Sequence, residues 1–265
     1  MITKFALSLI AGCVFGYAHN HVNWLLAILA IAIFIRVMNG ATIRQRVYFA
    51  ALFFAVYWLN AISWIRVLGI IPLVLLTLVC TIPYLFLALV PSRQTYSFAA
   101  VWVLAEFIHA EFPWGGFPWG LAAYTQTNGP LVEVSRFGGQ YLTSFVVLVA
   151  AGCVARFWRF TSFATFGLVA GAVVVIQFIV PKQDVQGSIK VAAIQGNVPR
   201  LGYDYETQRR AVLNNHVQAT HDFLASDSHD VALVVWPENA VDNDPINTGY
   251  VNSRVNALSK QMSMP

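Results

Sequence analysis

Apolar residues fall into seven blocks along the first two thirds of the chain, at about 5–18, 22–38, 47–65, 67–90, 98–110, 141–157 and 163–180. Blocks of this kind predict membrane-crossing helices, because about 20 residues of helix cross the hydrocarbon core. The first and fifth are short for that task. Pro72 and Pro83 interrupt the fourth, a break tolerated where neighbouring helices satisfy the freed backbone groups. From about residue 181 the pattern changes. Residues 188–197 and 231–236 are rich in β-branched side chains and read as strands, the second as a buried one. Residues 205–225, with Asp204 as a cap, and 246–262 predict helices; Val251, Val255 and Leu258 stand four and three apart. Gly196, Asn197 and Pro199, and later 242–245, are turn chemistry. The order β-α-β-α predicts the opening of an α/β fold, and two strands do not make an independent sheet.

Composition sharpens the boundary. The 265 residues are 58% hydrophobic and only 11% charged, where soluble domains carry about 25% charged residues. Residues 1–180 hold 12 of the 28 Lys, Arg, Asp and Glu, nine basic and three acidic; the last 85 hold 16, seven basic and nine acidic. A membrane domain over 1–180 and a polar domain over 181–265 follow. With Lys4 on the cytoplasmic side, the inner connections carry Arg44, Arg46, Arg93, Arg156 and Arg159, and the outer ones Arg66 and Arg136. That bias obeys the positive-inside rule, and seven crossings put the polar domain outside the cytoplasm. The apolar start reads as a retained span rather than a cleaved leader. No Lys/Arg-rich run supports nucleic-acid binding.

The three cysteines, Cys13, Cys80 and Cys153, all lie in apolar segments without a CxxC pair or zinc-type spacing. They read as buried hydrophobes, and neither a metal nor a cofactor is expected. The six histidines show no ligand spacing. The chemistry sits instead in Trp236-Pro237-Glu238-Asn239-Ala240, which places Glu238 at the carboxyl end of the second strand, where open α/β architectures build their sites.

Gln195-Gly196-Asn197 after one strand and Trp236-Pro237-Glu238-Asn239-Ala240 after the next resemble the start of a nitrilase-superfamily domain. Joined to seven upstream spans, they resemble the apolipoprotein N-acyltransferases. Trp102 to Glu106, then Phe112-Pro-Trp114-Gly-Gly-Phe117-Pro118-Trp119-Gly120, then Asn128 to Leu131, are similar to that family's membrane part, and 198–216 is similar to its actinobacterial branch. The resemblance implies a multi-span α-helical membrane domain followed by an α/β nitrilase-like domain, an α-β-β-α sandwich that is incomplete here. It implies a plasma-membrane, multi-pass bacterial enzyme that moves a fatty acyl group from a phospholipid to the N-terminal amine of a diacylglyceryl-cysteine lipoprotein. Glu238 is then the general base of a Glu-Lys-Cys set.

The chain ends 27 residues after Glu238, without the family's Lys, Cys or later span. The expectation is a portion of the enzyme that does not transfer acyl groups unaided. Either it is truncated or a complementing C-terminal polypeptide supplies the rest. Two other readings stay open: a non-catalytic scaffold anchoring a polyprenol-phosphate mannose synthase, and a membrane-bound amidase. Glu106, an ionisable group inside a span, pairs structurally or serves the substrate. Trp114, Phe117 and Trp119 anchor the outer loop at the interface or guide acyl chains and headgroups.

Overall fold

A computed structural model describes residues 1–157, 159–179, 187–197, 205–226, 231–238, 240–241, 244 and 246–262. Two compact units divide the chain, Met1–Pro181 and Lys182–Pro265.

The first unit is all-helical among the described residues: α1 (Ile2–Asn20), α2 (Trp24–Met38), α3 (Ile43–Ala61), α4 (Ile70–Thr81), α5 (Thr95–Glu111), α6 (Ser135–Val154) and α7 (Phe160–Ile179). Each of the seven apolar blocks lies on a helix. In the fourth, α4 passes into a 3₁₀ stretch, Ile82–Leu89, at Pro83, since a proline lacks the N–H that would continue the α ladder. Among the described residues, three stretches are long and apolar enough to cross a membrane: Ile2–Asn20, Ile70–Leu89 and Val132–Val154. Helices α2, α3 and α5 fall short for visible reasons. Helix α2 has 15 residues, α5 has 17 and carries Glu106, His109 and Glu111, and α3 opens with Arg44 and Arg46.

Helix starts follow local chemistry. The Asn23 side chain accepts from the Leu26 N–H, and Thr42 with Gln45 forms a capping box on α3, each satisfying a backbone donor at a helix start. The bundle closes on aromatic rings. Phe34 stacks on Phe53 at 4.2 Å, Phe54 on Tyr84 at 3.9 Å, and Trp102 meets Phe54 at 4.8 Å. Helix α1 lies close against α3 because Gly12 and Gly16 face it. A Cβ on Gly12 would stand 2.6 Å from the Phe53 carbonyl oxygen, and one on Gly16 2.5 Å from the Asn60 Cβ. This is the small-residue route to close helix approach in lipid. The Ser8 hydroxyl uses the proximity to donate to the Phe49 carbonyl at 2.7 Å.

The second unit holds β1 (Val191–Ala193), α8 (Tyr205–Leu224), β2 (Leu233–Val235) and α9 (Gly249–Met262). The strands pair in parallel, Val191 opposite Leu233 and Ala193 opposite Val235. Leu213 and Val217 of α8 pack with Val251 and Leu258 of α9, and Trp236 and Val241 lean on them. The buried-strand expectation needs correction. Leu233 and Val235 are 46% and 44% exposed, because the alternating side chains of a strand leave by opposite faces and α8 and α9 cover only one. Among the described residues the second unit shows two strands and one helical layer, a coarser arrangement than the α-β-β-α sandwich implied by the resemblance. The expected cap at Asp204, the 198–203 stretch, Asn239 and most of the 242–245 turn lie outside the described residues.

Candidate functional site

Glu238 follows β2 by three residues, in a turn closed by the Ala240 N–H on the Pro237 carbonyl at 3.2 Å. Its side chain is exposed. What lies behind it is ordered. The Trp236 indole N–H donates to the Thr220 hydroxyl at 3.0 Å, and that hydroxyl donates to the His216 carbonyl at 2.7 Å. The buried His216 ring faces the Val212 carbonyl through Nδ1 at 2.8 Å and the Gln195 side-chain amide through Nε2 at 3.1 Å. Gln195 Oε1 also accepts from the Asn197 N–H at 3.2 Å. The tips of both strands, Gln195 to Asn197 and Trp236 to Glu238, are thus tied to one turn of α8. Buried polar groups that are mutually satisfied fix geometry in this way.

His216 and Thr220 are residues that sequence reading missed. Their spacing of four on a helix was a weak signal, since their partners come from strands 16 to 21 residues away.

Gly196 is the tightest point of the arrangement. A Cβ there would stand 2.4 Å from the His216 nitrogen and 2.6 Å from the Asn215 carbonyl carbon. Backbone cannot yield as a side-chain end can. Gly196→Ala is therefore expected to push α8 off β1 and destabilise the second unit by about 1–3 kcal/mol, the usual cost of overpacking. Hydrogen exchange of the β1 and α8 amides checks this; unchanged protection would contradict the close approach.

In the first unit, Glu106 is fully buried. Its Oε1 accepts from the Trp102 indole N–H at 3.1 Å and from the Ala122 backbone N–H at 2.8 Å. The Ser144 side chain is a further hydrogen-bond partner of this carboxylate. The carboxylate therefore grips the far end of the 112–121 loop. Two further ties hold that loop: the Tyr57 hydroxyl donates to the Gly120 carbonyl, and the Phe117 N–H to the His109 carbonyl at 2.8 Å. Between the ties, Trp114 stands wholly exposed and Trp119 half-exposed, its ring 6.1 Å from that of Trp64. Phe117 turns inward against the core. The structure so brings Glu106, Phe117 and Trp119 to one loop, with Trp114 at its tip.

No cluster of His, Cys, Asp and Glu among the described residues could hold a metal ion. The cysteines lie in α1, α4 and α6; Cys80 and Cys153 are buried and Cys13 is exposed. Lys260 lies exposed on α9.

A helical unit with three stretches long and apolar enough to cross a membrane, followed by a small α/β unit, defines a membrane-protein class. The family itself comes from comparison. Residues 11–153 match the model of the apolipoprotein N-acyltransferase N-terminal domain, and the chain belongs to the apolipoprotein N-acyltransferase family. It is 31% identical over 171 residues to an apolipoprotein N-acyltransferase of Mycolicibacterium smegmatis, covering 54% of this chain and 29% of the relative. The enzyme of that name from Vibrio vulnificus is 25% identical over 244 residues, covering 82% of this chain and 47% of the relative. That from Pseudomonas putida is 29% identical over 163 residues, covering 57% and 30%. The chain spans less than half the length of these curated relatives.

Proposed function

We propose that this chain supplies the membrane unit and the general base of an N-acyltransferase that moves a fatty acyl group from a phospholipid to the N-terminal amine of a diacylglyceryl-cysteine lipoprotein. The observation that carries this reading is Glu238 at the carboxyl end of β2, behind which Trp236, Thr220 and His216 lock the strand tip to α8, on a chain whose first unit matches the family.

The chemistry follows from the groups. A carboxylate at a strand tip takes the proton of a thiol; the thiolate attacks the phospholipid ester carbonyl, and the lysophospholipid alcohol leaves with that proton. The acyl thioester then yields to the lipoprotein amine. A lysine would stabilise the tetrahedral oxyanion. Residues 182–265 contain no cysteine, so the nucleophile is a thiol outside these residues, in the same polypeptide or in a complementing one. These 265 residues alone bring the base and do not transfer acyl groups.

In this reading the first unit crosses the plasma membrane seven times with its Arg-rich end in the cytoplasm, and the nitrilase-like unit works on the opposite side. Trp114 and Trp119 meet lipid at the interface, Phe117 seats the loop against the core, and Glu106, which the loop covers, acts by holding it.

Depleting the chain from cells that make it tests the reading. Lipoprotein N-terminal peptides should then accumulate with two acyl chains and a free amine, as read by mass spectrometry. Unchanged N-acylation together with a fall in polyprenol-phosphate mannose would instead select the scaffold role. Amide hydrolysis lost without any change in lipoproteins would select an amidase.

A further inference from the structure

At one end of the first unit, the start of α1, the end of α2, the corner before α5 and the end of α6 converge on a cavity of about 260 Å³. Lys4, Arg36, Asn39, Ser92, Arg93 and Arg156 line it. A smaller cavity of about 150 Å³ shares Arg93 and Arg156 and adds Arg159 with hydroxyls from the start of α7. No acidic residue lines either one. The three acids of residues 1–181 lie elsewhere. Glu106 and Glu111 belong to the far half of α5, and Glu133 pairs with Arg136 at 2.6 Å.

The cavity has a built floor. Arg156 is buried, and its guanidinium donates to the Ser92 carbonyl at 3.0 Å and to the Arg93 and Gly152 carbonyls. That fixes the corner carrying Ser92 and Arg93 against the end of α6. The Ser92 hydroxyl oxygen is buried with no hydrogen-bond partner among the described residues. Orientation in the membrane needs only a surplus of Lys and Arg in the loops. It requires neither their convergence on a concavity nor a buried hydroxyl left unbonded.

We propose that this cavity binds the phosphodiester headgroup of an anionic phospholipid from the leaflet on its own side, with Arg36 and Arg93 flanking the phosphate and the Ser92 hydroxyl donating to it. The proposal rests on the membrane-crossing reading of the first unit but not on acyl transfer. Basic pockets between spanning helices recognise anionic headgroups by this chemistry. The site lies at the opposite end of α5 from the Glu106 loop, so it is a resident-lipid site rather than a donor site.

The test uses the full chain purified in detergent. Its thermal unfolding is followed while dioleoylphosphatidylglycerol, dioleoylphosphatidylcholine or sn-glycerol 1-phosphate is titrated in. Phosphatidylglycerol should stabilise the protein and phosphatidylcholine should not. The double variant Arg36→Gln/Arg93→Gln should bind phosphatidylglycerol about thirtyfold more weakly, from roughly the interaction of two basic residues with an anionic surface. The charge-matched pair Arg44→Gln/Arg66→Gln, outside the cavity, should leave affinity within about twofold. Equal weakening in both pairs, or equal binding of the two lipids, would overturn the site. Glycerol phosphate acting at the same concentration as the lipid would keep the anion site and overturn the lipid as its source. Lipoprotein acylation is read separately, so either reading can fail without the other.

Discussion

Glu238→Gln is expected to lower lipoprotein N-acylation by about a hundredfold to ten-thousandfold, the usual contribution of a positioned general base. Glutamine matches the shape of the side chain but cannot take the thiol proton. The fold should not notice the change. Glu238 is exposed, and the ties that order its strand tip run through Trp236, Thr220 and His216. Exposed substitutions of this kind fall within about 0.5 kcal/mol. In cells carrying the variant at natural abundance, mass spectrometry of lipoprotein N-termini should show the diacylated, free-amine form replacing the triacylated one. Near-normal triacylation with normal protein levels would remove Glu238 from the chemistry.

The second large effect belongs to Glu106. Glu106→Ala leaves the Trp102 indole N–H and the Ala122 N–H buried without their acceptor, a cost of about 1–3 kcal/mol for each orphaned donor. The 112–121 loop should loosen, seen as faster hydrogen exchange at Ala122 and Ala123 and a lower unfolding temperature. Glu106→Gln keeps an oxygen for both donors and should be mild. The pair also separates the two roles open to this residue. If Glu106 holds the loop, stability and acylation fall together in Glu106→Ala and recover together in Glu106→Gln. Loss of acylation in Glu106→Gln at unchanged stability would show that the carboxylate meets substrate.

The sequence was most readable where its pattern was local. All seven apolar blocks lie on helices, although their ends moved. The block at 98–110 extends to Thr95–Glu111, and that at 141–157 begins at Ser135, with non-helical backbone at Gly138 and Gly139 inside it. The order β-α-β-α was legible from periodicity and turn residues; the parallel pairing and its register came from the structure. The strands shrank to three residues each, because β-branched content marks where a strand fits while pairing decides how far it runs. The burial of Leu233 and Val235 was misjudged for the same reason. An apolar run does not say how many faces a neighbour covers. Least legible were contacts that join distant segments. Glu106 was noticed as an acid in a span, but its grip on Ala122, 16 residues on, crosses the irregular 112–121 loop. The cationic cavity depends on four helix ends meeting, which no linear spacing records.

The most direct test of the central claim, that these residues carry the base while the nucleophile lies outside them, is to map the acyl-thioester in native membranes. Membranes given a phospholipid with a labelled acyl chain are digested, and hydroxylamine-sensitive acyl peptides are identified by mass spectrometry, in the unchanged protein and in Glu238→Gln. A labelled cysteine outside residues 1–265 that loses its label in Glu238→Gln is the predicted result. Label on Cys13, Cys80 or Cys153, or label that persists without Glu238, would contradict it.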